Sequence, residues 1–232
     1  MIFNESVEND SKPVNKTEKF MFDGERLIQH IIKQRYFEEE ISNEVNLSYS
    51  DNQVTVTTDY PTLVYTLNSE GYASQCVYSL SSQNRIYQFS YSAEGYLTGI
   101  VENIDNTEYS STSLTYENGD ITSISSKMNG LENKFIYEPG EESSTYYLPC
   151  LGLLEIHPLT FHIEALYAGL LGKDPRHFTI RSCPAGSNDE KTIYSYEFDK
   201  KGNPSRMICQ TTYAGGQASY YPYTRNISVS FE

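Results

Sequence analysis

The chain has 232 residues, a formal net charge of −14 at pH 7, and 21 tyrosines and 10 phenylalanines but no tryptophan. The negative charge repels phosphate backbones and anionic lipid headgroups, so nucleic acid is not an expected partner. Tyr and Phe favour strands, and an all-β chain of this length commonly forms one domain. No run approaches the ~20 apolar residues that a membrane-spanning helix needs.

The first residues differ in composition from the rest. Residues 1–16 are polar and show no periodicity, so we predict a flexible tail followed by a single folded domain over residues 17–232. Residues 1–12 also lack the charged, apolar and small-residue zones of a signal peptide. The protein is therefore expected to be cytoplasmic, or to have lost its leader.

A repeated pattern runs through the remaining sequence. In FSYSAEGYLTGI, alternating aromatic residues precede a polar turn that ends in Gly95, and apolar residues follow two and five positions later. The same layout surrounds Gly71, Gly119 and Gly202. Consecutive glycines in the series Gly71, Gly95 and Gly119 are 24 residues apart. Alternation with a period of two and a glycine able to adopt a positive φ predict tandem β-hairpins.

The hairpins predict a barrel. Two apolar residues three positions apart cannot share one face of a regular strand, so each hairpin is expected to contain a bulge. A meander must also cover its apolar face, and closure or partial closure into a barrel of about 12 to 16 strands does so. Strands of about 5 to 7 residues are shorter than the roughly 9 to 11 that cross a bilayer, so we expect no integral membrane insertion.

Two regions depart from the repeat. GERLIQHIIKQRYFEEEIS, residues 24–42, fits either another hairpin or a helix with its apolar residues on one stripe. HPLTFHIEALYAGLLG, residues 157–172, predicts one inserted α-helix over about 158–171, with Pro158 in its first turn and Gly172 after its end. The helix is expected to lie in or across the barrel, because its apolar stripe of Leu159, Ile163, Leu166 and Leu170 needs a surface to bury against.

These hairpins, followed by AGLLGKDP (residues 168–175), resemble an uncharacterised Bacteroidetes family described as a domain of unknown function with a porin-like fold. The likeness extends over about residues 17–232, and the hairpins alone also resemble the tyrosine-aspartate repeats of Rhs shell proteins. The resemblance implies an exported protein of the periplasm or cell surface, often tethered by a lipid. The family has no assigned activity, so the resemblance carries over no functional residue.

The polar and sulfur-containing residues suggest little chemistry. Cys150 and Cys183 flank the insert and could pair, whereas Cys76 occupies an apolar repeat position typical of a core residue. His157 and His162 are five residues apart, unlike the i, i+4 pair of a zinc protease, so solvated or capped histidines are expected. We expect no cofactor and no catalytic residue, with a carbohydrate-active enzyme as an alternative.

Tyrosines beside prolines are the candidate ligand site. Rings presented by loops can stack on sugars, and the residues concerned are Tyr146, Tyr147, Tyr220, Tyr221 and Tyr223. Together with the envelope location that the resemblance implies, these tyrosines favour a non-catalytic, exported envelope or cell-surface binding module, a monomer whose partner is a glycan or another envelope protein. A purely structural envelope component is the second interpretation.

Overall fold

The computed structural model describes residues 1–8, 15–36, 39–58, 62–79, 83–143, 156–187, 190–212 and 223–231. Within these residues, sixteen antiparallel strands form one closed barrel, in which each strand pairs with its neighbours in the chain and the first pairs with the last. The strands, β1 to β16, are Ile2–Glu8, Asn15–Asp23, Arg26–Tyr36, Glu39–Ser50, Gln53–Thr57, Thr62–Leu67, Ala73–Ser79, Asn84–Tyr91, Leu97–Ile104, Thr107–Glu117, Asp120–Met128, Leu131–Pro139, Thr179–Pro184, Lys191–Phe198, Pro204–Thr212 and Tyr223–Ser230. The predicted antiparallel meander is confirmed, and the barrel is closed.

The predicted flexible tail is wrong for residues 2–8. They form β1, which closes the ring between β16 and β2. Phe3 is buried, with its ring 5.5 Å from that of Phe20, whereas the neighbouring Asn4 is exposed. A strand with one covered face needs few apolar residues, so its composition resembled that of a tail.

Most of the strands are longer than the expected 5 to 7 residues, although β1, β5, β6, β7 and β13 fall within that range. β3, β4 and β10 have 11, 12 and 11 residues. The region that fitted either a hairpin or a helix is a hairpin, because β2 and β3 pair from Asn15↔Arg35 to Asp23↔Arg26. Inter-strand hydrogen bonding along this full length outweighs the helical spacing of the apolar residues in β3.

The predicted bulges occur in every repeat. The ladders of β6–β7, β8–β9, β10–β11 and β14–β15 each shift register immediately beside the turn. The unpaired residues, three positions after the turn glycines, are Ser74, Thr98, Thr122 and Ser205. Each hydroxyl donates to a carbonyl of the facing strand, at 3.0, 3.1, 3.2 and 3.2 Å respectively. The hydroxyl thus holds the bulge that lets both apolar residues of the repeat face inward.

The turn glycines lie at one end of the barrel. Gly24, Gly71, Gly95, Gly119 and Gly202 all have positive φ and all join an even-numbered strand to the next odd-numbered one. In an antiparallel meander these turns share one end, which we call the glycine rim. The constant spacing of 24 residues between Gly71, Gly95 and Gly119 is thus the length of one strand down and one strand back.

The segment between β12 and β13 enters the barrel, as expected. One contiguous core contains inward-facing wall residues such as Tyr87 and Ile100 together with Leu159, Ala165 and Leu170 of this segment. We call its described residues 156–169 the lumen segment, and residues 170–178 the rim strap.

The predicted helix of residues 158–171 is too long. A 3-10 turn, Leu159–Phe161, precedes a five-residue α-helix, α1, Ile163–Tyr167. Gly169 follows the end of the helix and has a φ of +71°. The Gly169 N–H donates to Leu166 O, and the Leu170 N–H donates to Ala165 O. This Schellman ending satisfies the last carbonyls of the helix and turns the chain toward the rim.

The bulge hydroxyls generate a prediction. Thr122→Val keeps the shape of the side chain but removes the donor to Thr115 O, so we expect unfolding to become easier by about 1 kcal/mol. Urea denaturation measures this change. Thr57→Val, at an exposed position of β5, is the control, and equal midpoints for the two variants would contradict a role for the hydroxyl in the bulge.

Candidate functional site: the strapped rim of the barrel

A buried carboxylate anchors the start of the lumen segment. Glu102 of β9 is fully buried and lies 2.5 Å from His157 Nε2. Ser110, Tyr87 and Arg85 also donate to its oxygens, at 2.8, 3.2 and 3.1 Å. Burial by itself raises the pKa of Glu102, but the hydrogen bonds from His157 and Ser110 outweigh it, so the net pKa is below the ordinary value. Its oxygens are therefore occupied by structural contacts.

The backbone at this point is held as well. Thr112 and Ser126, on β10 and β11, both donate to the carbonyl oxygen of His157, at 3.0 and 3.1 Å. Inward-facing hydroxyls of the wall thus satisfy a backbone group of the segment that passes through the lumen. An unpaired carbonyl there would carry a desolvation cost.

His162 lies deeper in the lumen. It is fully buried, its Nδ1 is 2.7 Å from Tyr65 Oη, and its ring stands edge-on to Tyr87 with centroids 4.5 Å apart. Burial lowers the pKa of His162 to about 3, so the imidazole is neutral at physiological pH. A neutral ring in this position acts as a packing element with one hydrogen bond.

Helix α1 is tied to the opposite part of the wall. His30 of β3 is fully buried, stacks on Phe20 at 4.1 Å, and lies 2.8 Å from Glu164 of the helix. Burial by itself lowers the pKa of His30, but hydrogen bonds to Glu164 and Glu18 raise it, and the net pKa is raised. The ring of Tyr167 also packs on Phe20, with centroids 4.0 Å apart.

The fourth histidine belongs to the rim strap. The Nδ1 of His177 is 2.8 Å from Asp120 of β11, and its backbone N–H donates to the other oxygen of the same carboxylate, also at 2.8 Å. All four histidines of the chain therefore connect the insert to the wall. The expectation of solvated or capped histidines at positions 157 and 162 is wrong, because the wall supplies partners far away in sequence.

The rim strap crosses the glycine rim in regular steps. Ala73 N–H donates to Leu170 O at 2.7 Å, Lys173 N–H to Gly95 O at 2.8 Å, and Arg176 N–H to Gly119 O at 3.1 Å. Each step of three residues advances by one hairpin. Two strand spacings amount to about 9.6 Å, and three extended residues span at most about 10 Å, so the strap and the rim have matching periods.

A groove lies between the strap and the turns that it crosses. Its volume is about 740 Å³. The lining combines an aromatic pair, hydroxyls, an amide and both cations of the strap, and consists of Ser92, Glu94, Tyr96, Thr98, Leu114, Thr115, Tyr116, Asn118, Gly119, Lys173 and Arg176. The rings of Tyr96 and Tyr116 stack with centroids 5.0 Å apart. We call this feature the rim groove.

The tyrosines that the sequence suggested as a ligand site fall outside the part of the chain whose side chains the structure describes. Tyr146, Tyr147, Tyr220 and Tyr221 lie outside the described residues, and Tyr223 begins β16 with its side chain outside them too. Sequence reasoning missed Tyr96 and Tyr116. Tyr96 directly follows a repeat glycine, which was the available signal, but its stacking partner lies on another strand, across a bulge.

The cysteines that the structure describes are buried. Cys76 is fully buried in the core, as predicted. Cys183 is a buried free thiol in β13, and Cys150, with which it could pair, lies outside the described residues.

Over the described ranges, no group of three or more His, Cys, Asp or Glu residues is arranged to hold a metal ion. The same ranges contain no helix of the length and apolarity needed to cross a bilayer.

Comparison with known proteins gives a family and a structural neighbour. A family model described as a domain of unknown function (DUF4595) with porin-like fold matches residues 20–206. The crystal structure of a porin-like protein from Bacteroides uniformis is similar, with a TM-score of 0.90 and 26% identity, over 100% of this chain and 96% of that one. No curated protein matches the chain.

The contact between strap and rim gives a second prediction. Gly172 has a φ of +89°, and an added Cβ would lie 2.6 Å from Gly95 O, whereas Gly169 has a φ of +71° with nothing within 4 Å. Gly169→Ala is expected to cost about 1 kcal/mol through backbone strain. Gly172→Ala must also displace the rim, so its loss of unfolding free energy should be clearly larger. Similar urea midpoints for the two variants would contradict the close approach.

A third prediction concerns acid. His162 stays neutral in the fold down to a pKa of about 3, whereas an unfolded histidine titrates near 6.5. Between these values the unfolded chain binds more protons, so stability falls as the pH falls, by about 1.5 kcal/mol from pH 6.5 to 5.0 for this one group. His30 has a raised pKa, so its contribution to stability is complete below pH 6.5 and is lost as the pH rises through the pKa of the folded state.

The measurement is the free energy of unfolding in urea at pH 6.5, 5.5 and 5.0, for the parent and for His162→Gln. The variant should be less stable at all three pH values. Its free energy of unfolding should depend less on pH, because glutamine takes up no proton on unfolding. Parallel curves for the two proteins would show that His162 is not neutral in the fold.

Proposed function

The chain belongs to the family of domains of unknown function with a porin-like fold. We propose that it is a non-catalytic, exported glycan-binding module of the cell envelope. Its barrel acts as a filled scaffold, and its ligand site is the rim groove. The likeness to a porin-like protein of Bacteroides uniformis supports the envelope location.

The filled lumen is the observation that carries the proposal. Leu159, Ala165 and Leu170 of the insert join the inward-facing wall residues in one core, and the rim strap is bonded across three successive hairpins. A lumen packed in this way does not favour passage of solutes. We therefore expect the ligand site on the outside of the barrel and not in its interior.

The polarity of the wall supports a barrel surrounded by water. Outward-facing residues of β8 and β10, such as Gln88, Ser90, Ser113 and Thr115, are exposed and polar, whereas their inward-facing neighbours Phe89 and Leu114 are buried. A barrel that spans a bilayer has the opposite alternation, with an apolar band facing the lipid. Strand length does not decide the matter, because β3, β4 and β10 are long enough to cross a bilayer.

The lining of the rim groove favours a sugar. A pyranose presents apolar ring faces and a rim of hydroxyls, and protein sites for such ligands combine aromatic rings with a few hydrogen-bonding groups. Tyr96 and Tyr116 supply the rings, and Thr98, Thr115 and Asn118 supply the polar groups. The volume of about 740 Å³ is within the roughly 300 to 1,000 Å³ of small-molecule sites.

The test blocks the groove. Thr115→Trp adds a large side chain at an exposed position that lines the groove, and Ser113→Trp adds the same side chain two residues earlier on the same outward face. We expect the parent and Ser113→Trp to retain the same neutral or acidic oligosaccharides on a glycan array, and Thr115→Trp to lose them. Retention of no glycan by the parent, or equal retention by both variants, would contradict the proposal.

A further inference from the structure

We propose that the rim groove selects acidic oligosaccharides, with Lys173 and Arg176 of the rim strap holding acid groups of the sugar and Tyr96 and Tyr116 contacting its rings. This inference rests on the proposed function and specifies the class of its ligand. It is carried by the placement of two cations along one wall of a groove in a strongly acidic protein.

The positions of the two cations are fixed by the fold. Lys173 and Arg176 use their backbone N–H groups to bond Gly95 O and Gly119 O, so their side chains emerge over two successive turns. Both side chains belong to exposed residues that line the groove. Their separation follows the hairpin period of about 10 Å, so a linear oligosaccharide with an acid group on several rings can engage both.

Within the described residues neither cation forms a direct ion pair, although the charge of Lys173 contributes to the lowered pKa of Glu94. The described arginines that form ion pairs are elsewhere, namely Arg85, Arg181, Arg206 and Arg225. Arg176 donates one hydrogen bond, at 3.3 Å, to the backbone carbonyl of Asn118. Its planar fork has five N–H donors, which leaves the capacity to bind a carboxylate or sulfate.

Two carboxylates lie nearby. Glu94 lines the groove, but it is hydrogen-bonded to Ser92 and to the backbone of its own turn, which lower its pKa. Asp174 lines an adjoining small cavity of about 20 Å³, which shares Leu114, Tyr116 and Lys173 with the groove. The groove is therefore lined by two cations and one carboxylate, with a second carboxylate beside it, in a chain whose net charge is −14.

The aromatic pair explains why the ligand is a sugar acid and not a free anion. Tyr96 and Tyr116 stack with centroids 5.0 Å apart and line the groove beside the cations. A simple anion gains nothing from such rings, whereas a uronic-acid chain presents ring faces to tyrosines and carboxylates to cations. The overall charge opposes long-range attraction of polyanions, so binding depends on contacts within the groove.

The experiment compares one sugar in two charge states. Isothermal titration calorimetry of the whole chain uses trigalacturonic acid and its fully methyl-esterified form, which keeps the rings and removes the charges. We expect the acid to bind about tenfold or more tightly than the ester, because hydrogen bonds to charged groups are worth about 1.5 to 3 kcal/mol. The preference should shrink as salt is raised.

Matched double variants assign the preference to the groove. Lys173→Gln with Arg176→Gln should reduce the affinity for the acid to that for the ester. Arg35→Gln with Lys127→Gln makes the same change in net charge at exposed positions of β3 and β11. This control should leave the preference for the acid over the ester intact. Thermal unfolding of each variant, with an expected Tm close to that of the parent, checks that the strap remains in place.

The outcomes separate this inference from the proposed function. Equal binding of acid and ester, or an acid preference that survives in the Lys173 and Arg176 variant, overturns the inference and leaves a groove that binds glycans without selecting charge. Binding of neither sugar also overturns it, and the glycan array with Thr115→Trp then decides whether the groove binds any glycan.

Discussion

A closed ring of sixteen strands encloses more space than its own inward-facing side chains can fill, and the structure depends on the insert that completes this core. Barrel diameter grows with strand number, so Tyr65, Tyr87 and Phe89 of the wall need partners from elsewhere in the chain. The lumen segment supplies Leu159 and Ala165, which are almost fully buried.

Polar contacts fix where this apolar filling lies. Burial in an apolar medium is non-directional, so hydrophobic packing alone would let the insert slide or rotate. The histidine contacts remove that freedom, because His157, His162 and His177 of the insert each meet one partner on the wall, and His30 of the wall meets Glu164 of the helix. Each pair would leave a desolvated group behind if the insert shifted.

The rim groove is a consequence of the same constraint. After filling the lumen, the chain must reach β13 on the other side of the insert, and the shortest course is across the turns. Because three extended residues match one hairpin width, every third residue of the strap meets a turn, and its exposed side chains Lys173 and Arg176 stand beside Tyr96 and Tyr116. A candidate ligand site therefore arises where a closing segment runs over a regular edge.

The sequence by itself determined the repeating hairpins, their turn glycines, their bulges and the antiparallel meander, because alternation, turns and bulges are local properties of neighbouring residues. It also located the insert, although only Leu159 and Leu170 of the predicted apolar stripe are buried, while Ile163 and Leu166 are half-buried. It left open whether the barrel closes. It did not determine that residues 2–8 close the ring, since a strand covered on one face carries little local signal, nor that the helix is only five residues long. Only the tertiary structure brought Tyr96, Tyr116, Lys173 and Arg176 into one groove and gave each histidine its partner. Those pairs are far apart in the chain, up to 134 residues for His30 and Glu164, and no local pattern encodes a contact that exists only after the barrel has closed.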